Sequence, residues 1–315
     1  VRAPKRAPKI LGIGAAAASL TLLAGACGGG GGVATGPEEG EGEGQGQAIT
    51  IGLIPWEEDI AVTHMWQAIL EEKGYDVTLE NVDVAPTFEA LANGDIDLYL
   101  DAWLPTTHAS YWEEYGDRLE DIGVWNENAS LQLTVPSYME DVNTIADLKG
   151  QADTFDGRIV GIESGSGLVQ TTKDEAMPAY GLEDEYELVE SSTPAMLQEL
   201  ETAIADEKPI VVTLWRPHIA YAQYDLKDLE DPEGAMGEAE SIHSLGRQGF
   251  GEDFPELNGW LEDFTLSDEQ LAELETAVFI DHEGDEEAGA RAWLAENPDF
   301  LEDVLGADAE GLEFA

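Results

Sequence analysis

The 315-residue sequence predicts an α/β protein of two lobes with a ligand cleft between them. Two runs of patterned segments, one from Ile49 and one from Gly157, each follow the order strand, helix, strand, helix, strand. Their landmarks keep a near-constant offset, Gly161 following Gly52 by 109 positions and Trp215 following Trp103 by 112. A period that long describes duplicated domains and not a solenoid unit. Alternation of strands with helices predicts a mostly parallel sheet in each half.

In the first copy, "ITIGLIP" is a short apolar strand, and Val62, Met65, Trp66, Ile69 and Leu70 then fall on one face of a helix that Gly74 stops. "YDVTLENV" reads as the second strand, "APTFEALANGD" as a helix ended by Asn93 and Gly94, and "IDLYLDA" as the third strand. In the second copy the strands are "RIVGIE", "YELVES" and "PIVVTL". A glycine turn "SGSG" opens its first helix, and "PAMLQELETAIADE" is its second. "LQLTVPSYM" and "SIHSLGRQGF" are the expected crossings between lobes. The helical "SDEQLAELETAVF" and "EEAGARAWLAEN" are expected to pack back on the first lobe. The division is residues 49–134 with 248–315 for lobe I and 135–247 for lobe II.

Residues 1–27 are set apart from the fold. Arg2, Lys5, Arg6 and Lys9 precede a short alanine-rich apolar run that ends in small residues at Cys27, the layout of a cleaved export signal. "LAGAC" is similar to a bacterial lipobox, in which Cys27 becomes the lipidated N-terminus, although Ala24 stands where leucine is usual. With one cysteine in the chain there is no internal disulfide. Residues 28–48, rich in glycine and glutamate, are expected to form a disordered tether.

Removing the four basic residues of the signal leaves 10 Lys and Arg against 67 acids, an excess of about 57 negative charges. Such a surface excludes nucleic acid and anionic lipid as partners. Self-repulsion of this density is tolerated where salt shortens the screening length, so the composition points to a saline environment.

Eight tryptophans need places. Trp66 and Trp293 lie in helical patterns and are expected in the core, with Trp112, Trp125 and Trp260. Trp56, Trp103 and Trp215 follow the carboxyl ends of predicted strands, where open α/β sheets bind ligands. Three aromatic faces suit a quaternary ammonium, which the ring quadrupoles attract without any hydrogen bond. The helix N-terminus at "ESGSGLV" favours an anion such as a carboxylate, and His108, five residues after Trp103, is a candidate donor to it. His218 reads as structural, because its spacing from Trp215 differs. No histidine pair has metal-ligand spacing, "SGSG" lacks the P-loop lysine, and neither Ser164 nor Ser166 has the glycines of a nucleophile elbow. No cofactor is expected.

The stretches "WEEDIAVTH", "VDVAP", "LANGDIDLYLDAWLPTTH", and "SGSG" followed by "LWRPH" closely resemble the glycine betaine binding lipoproteins of bacterial ABC osmoprotectant importers, over Ile49 to about Phe250. The resemblance implies a type II periplasmic-binding-protein fold and no catalysis. It implies an aromatic prism of Trp56, Trp103 and Trp215 around a trimethylammonium group, with the amides of Gly167 and Leu168 and the side chain of His108 on the carboxylate. It further implies a permease and an ATPase as partners, and a location on the extracytoplasmic face of the membrane, held only by a lipid on Cys27. Arg216 departs from the smaller polar residue common in the family and leaves open how the cleft closes. The alternatives are a choline or carnitine receptor of the same type and, distantly, an α/β hydrolase.

Overall fold

The computed structural model describes residues 46–314. The expected export signal, Cys27 and nearly all of the expected tether lie outside the described residues. Among the described residues nine strands form one sheet: β1 (Ala48–Leu53), β2 (Asp76–Asn81), β3 (Leu98–Leu104), β4 (Leu119–Pro136), β5 (Arg158–Val160), β6 (Glu187–Val189), β7 (Val212–Arg216), β8 (Leu226–Asp228) and β9 (Glu240–Arg247), with β8 off the main path beside β4.

The duplication is visible in the strand order. In lobe I, β1 lies between β2 and β3, parallel to both. In lobe II, β5 lies between β6 and β7, again parallel to both. The third strand of each trio meets an antiparallel neighbour, β9 beside β3 and β4 beside β7. Trp103 and Trp215 occupy matching places, opposite Ile242 and Leu131.

The expected crossings are themselves strands. β4 pairs with β9 from Leu119 to Ala129, then with β7 from Ser130 and with β8 from Thr134. One continuous strand therefore serves both lobes, and β9 brings the chain back. By pairing, β4 passes from β9 to β7 between Ala129 and Ser130, and β9 from Glu240 onward lies beside β3 and β4.

Helix α1 (Glu57–Glu72) buries Val62, Met65, Trp66, Ile69 and Leu70, the face its periodicity predicts. Helix α2 (Val84–Asn93) ends at Gly94, whose φ of 78° is the left-handed cap that glycine adopts without a Cβ clash. The helix Glu286–Glu296 returns to lobe I, where Arg291 reaches Glu71 at 2.7 Å and Glu72 at 2.9 Å on α1. Trp66, Trp125, Trp260 and Trp293 are buried as expected. Trp112 is not: it lies on α3 (Ala109–Tyr115), a surface helix with no fully buried residue, and its indole is half-buried. Among the described residues no helix is long and apolar enough to cross a membrane.

Candidate functional site

The first strand of each lobe ends in a loop that starts a helix, and the two helix starts differ in charge. At α1, Trp56 is the N-cap and the first turn is Glu57, Glu58 and Asp59. The Asp59 carboxyl accepts from the Ile54 amide at 2.7 Å and from the Thr63 hydroxyl at 2.9 Å. At α4 (Gly167–Thr171), Ser166 is the N-cap and the first turn carries no acid. The Ser166 hydroxyl accepts from the Val169 amide at 3.2 Å. The amides of Gly167 and Leu168 precede the first residue able to find an intrahelical acceptor, so they are free to serve an external anion.

The third strand of each lobe carries a tryptophan as its next-to-last residue, and a cis X–Pro bond follows the strand, Leu104–Pro105 in one copy and Arg216–Pro217 in the other. Beyond Trp103, the Glu240 carboxylate on β9 accepts the amides of Thr106 and Thr107, each at 3.0 Å. That anchor shapes the turn which delivers His108. The fully buried imidazole accepts the Trp103 amide on Nδ1 at 2.9 Å, so in the neutral ring the proton sits on Nε2. Nε2 has no hydrogen-bond partner among the described residues. Burial lowers the His108 pKa to about 3, which keeps the ring neutral and Nε2–H a donor throughout the physiological range.

All six residues singled out in the sequence line one cavity: Trp56, Trp103, His108, Gly167, Leu168 and Trp215. The three tryptophans are buried, at 6, 3 and 3% exposure, because in this closed arrangement each lobe covers the other's apolar ring. Trp56 stacks on His108 with ring planes 15° apart. Gly167 stands so close to the opposite lobe that a Cβ there would lie 2.2 Å from the Thr107 carbonyl oxygen.

Five further lining residues were not expected in the site from the sequence: Glu58, Thr107, Leu131, Ile162 and Ser166. Leu131 is the cross-strand partner of Trp215, which no local pattern reveals. Glu58 was hidden inside the acidic pair after Trp56, where abundant surface acid masks a buried one. Burial, with Asp101 nearby, raises its pKa well above the carboxylate range. Asp101 and Glu275 are raised likewise, burial being the main cause, and Asp59 is raised to about 7.

Two residues face elsewhere. Arg216 turns to its own lobe, its guanidinium 3.6 Å from the centre of the Tyr221 ring and its Nε bonded to Asp228 at 2.5 Å. His218 accepts the Ala220 amide on Nδ1 at 2.9 Å, and its Nε2 lies 3.1 Å from Glu57. The angle is poor for a hydrogen bond, and both atoms are otherwise without partners, so this is a close polar contact and not a strong pair. No group of His, Cys, Asp and Glu among the described residues could hold a metal ion.

Two lobes joined by shared strands around one closed cavity define a substrate-binding protein of the periplasmic type. Residues 47–296 match the family described as the substrate binding domain of ABC-type glycine betaine transport systems, and the chain belongs to that family. It is 39% identical over 143 residues to the glycine betaine/carnitine transport binding protein GbuC of Listeria monocytogenes, an alignment spanning 45% of this chain and about half, 46%, of that relative. Among solved structures it is similar to the glycine/betaine/L-proline-binding protein ProX from Borrelia burgdorferi, with 31% identity, a TM-score of 0.78, and 84% of this chain and 98% of that one covered. It is also similar to lactococcal OpuAC in its closed conformation with glycine betaine, with 30% identity, a TM-score of 0.76, and 82% and 99% covered.

Proposed function

We propose that this protein captures glycine betaine, or the related proline betaine, outside the cell for an ABC importer. The trimethylammonium group packs among Trp56, Trp103 and Trp215, and the carboxylate takes the amides of Gly167 and Leu168 and the Nε2–H of His108. The observation that carries this reading is the buried, unpartnered His108 Nε2 at the wall of a cavity faced by three tryptophans. A buried donor left without an acceptor costs about 1–3 kcal/mol, so the closed state needs a ligand that supplies one. Choline brings the cation without the carboxylate and leaves that donor and both amides unanswered. Carnitine, named in a relative, carries both groups on a longer chain.

Hydrolysis finds no support. The Ser166 hydroxyl donates to the Glu163 carbonyl and accepts from Val169, so it is committed to the helix cap. The ligand is therefore delivered unchanged, to a separate permease driven by an ATPase. The anchor in this reading is a lipid on Cys27, with residues 28–48 as the tether. Cys27→Ser would then release the protein from the membrane without changing ligand affinity.

Calorimetry with glycine betaine, proline betaine, carnitine and choline in molar salt tests the ligand. The expected order places a betaine first and choline at least tenfold weaker. Choline binding as tightly as glycine betaine would overturn the carboxylate half of the site.

A further inference from the structure

Each of the three cavity tryptophans donates its indole N–H to a carboxyl group. Trp103 stays at home, bonding Asp101 two residues back on its own strand at 3.0 Å. The other two cross the cleft. Trp215 of lobe II bonds Glu58 of α1 at 2.8 Å, and Trp56 of lobe I bonds Glu163, just beyond β5, at 3.4 Å. We propose that Glu58 and Glu163 are positioning residues that form a reciprocal latch, each lobe holding the other's tryptophan by its indole N–H so that ring orientation and cleft closure are one event.

Both acceptors are prepared before closure. Glu163 is fixed within lobe II, where Thr193 gives it the backbone amide at 2.8 Å and the hydroxyl at 3.0 Å. Glu58 is placed by the first turn of α1. In an open cleft water satisfies both indoles. In the closed one Trp215 and Glu58 are almost fully buried, so an N–H without its acceptor is penalised only in the closed state. Removing Glu58 therefore acts on closure more than on the fold. The Glu163 bond is longer and its carboxylate half-buried, so that side of the latch is the weaker one.

The proposal rests on the betaine reading, and a thermodynamic cycle separates the two. Tryptophan to phenylalanine keeps a ring face and deletes the donor. Glycine betaine is titrated into wild type, Glu58→Ala, Trp215→Phe and the double variant, with Glu163→Ala and Trp56→Phe as the second cycle. Glu58→Ala is expected to weaken binding about tenfold or more in wild type and less than about threefold in the Trp215→Phe background, because the lost partner is already gone. Glu163→Ala is expected to weaken it a few-fold, with the same dependence on Trp56. Glu58→Gln, whose amide oxygen still accepts, should recover most of the loss.

Equal losses in both backgrounds, or a Glu58→Gln variant as weak as Glu58→Ala, would overturn the latch and leave Glu58 a cavity-lining group that does not hold the indole. If wild type binds no betaine, the ligand reading fails by itself. The distance between labels on the two lobes then decides the latch: Glu58→Ala more open than wild type supports it, and an unchanged distance overturns it.

Discussion

The loops after β1 and after β5 occupy the same place in the two lobes and carry opposite chemistry. The first puts a tryptophan and three acids at the start of α1, where Asp59 accepts the Ile54 amide and Glu58 the Trp215 indole. The second puts serine and glycine at the start of α4, where no acid stands in the first turn. In the proposed site the first helix end lies on the side of the cation and the second on the side of the carboxylate. The third-strand loops diverge in the same way. Both run tryptophan, cis-proline, histidine, but two extra residues before His108 let its Nε2 reach the cavity, while His218 faces Glu57. Duplication supplied two equal lobes, and a dipolar ligand needs the difference between them.

The largest effect is expected where the lobes come closest. Gly167→Ala places a methyl group against the Thr107 carbonyl of the opposite lobe. It should weaken betaine on the order of a hundredfold, the upper end of overpacking costs. The melting temperature of the ligand-free protein should barely move, because an open cleft relieves the clash. A titration showing wild-type affinity would mean the lobes do not approach as closely in solution.

Next comes the histidine pair. His108→Ala should weaken glycine betaine roughly ten- to hundredfold, the value of a hydrogen bond to a charged group, and change choline far less. His218→Ala should spare affinity and cost about 1–2 kcal/mol of stability by orphaning the Ala220 amide. The reverse pattern in calorimetry and thermal melts would exchange the roles of the two loops.

The acids behind the tryptophans set a pH dependence. Glu58, Asp59, Asp101 and Glu275 all have raised pKa values, so between about 4, where unfolded carboxyls titrate, and about 7 the folded chain binds more protons than the unfolded one. Their contribution to stability is full at the acid end and is lost as pH rises through this window. Melts across pH 5 to 8 should show Asp59→Asn flattening the decline by up to a few kcal/mol. A slope identical to wild type would place the buried acids outside the titration. Affinity should not follow His108 over this range, since the imidazole is neutral throughout.

Salt should affect binding least. Lowering ionic strength from molar to millimolar should depress the melting temperature of so acidic a chain. The affinity for a zwitterion should stay within about threefold, because its net charge is zero.

Local pattern carried much of this into the sequence. The strand-helix alternation, the buried face of α1 and the glycine end of α2 are all short-range, and so is a tryptophan placed at the end of a strand. Pairing across the fold is not. Nothing local says that β4 runs through both lobes, that Leu131 lies opposite Trp215, or that Glu58 and Glu163 receive indoles from more than 100 residues away. Trp112 was misplaced because an indole in an aromatic-rich segment reads as core, whereas α3 lies on the surface. The buried acids were the hardest to see: among the described residues they are Glu58, Asp59, Asp101, Glu240 and Glu275, in a chain that carries 67 acids.

The central claim is that Trp103 and Trp215, equivalent in the two lobes, face one ligand together. Calorimetric titration of glycine betaine into Trp103→Ala and Trp215→Ala, each shown to be folded by circular dichroism, tests it directly. Each loss should be about 1–2 kcal/mol, or five- to thirtyfold, for one aromatic face withdrawn from the cation, and Trp66→Phe in the core of α1 should leave affinity unchanged. Folded Trp103→Ala and Trp215→Ala variants that bind betaine like wild type would contradict the account.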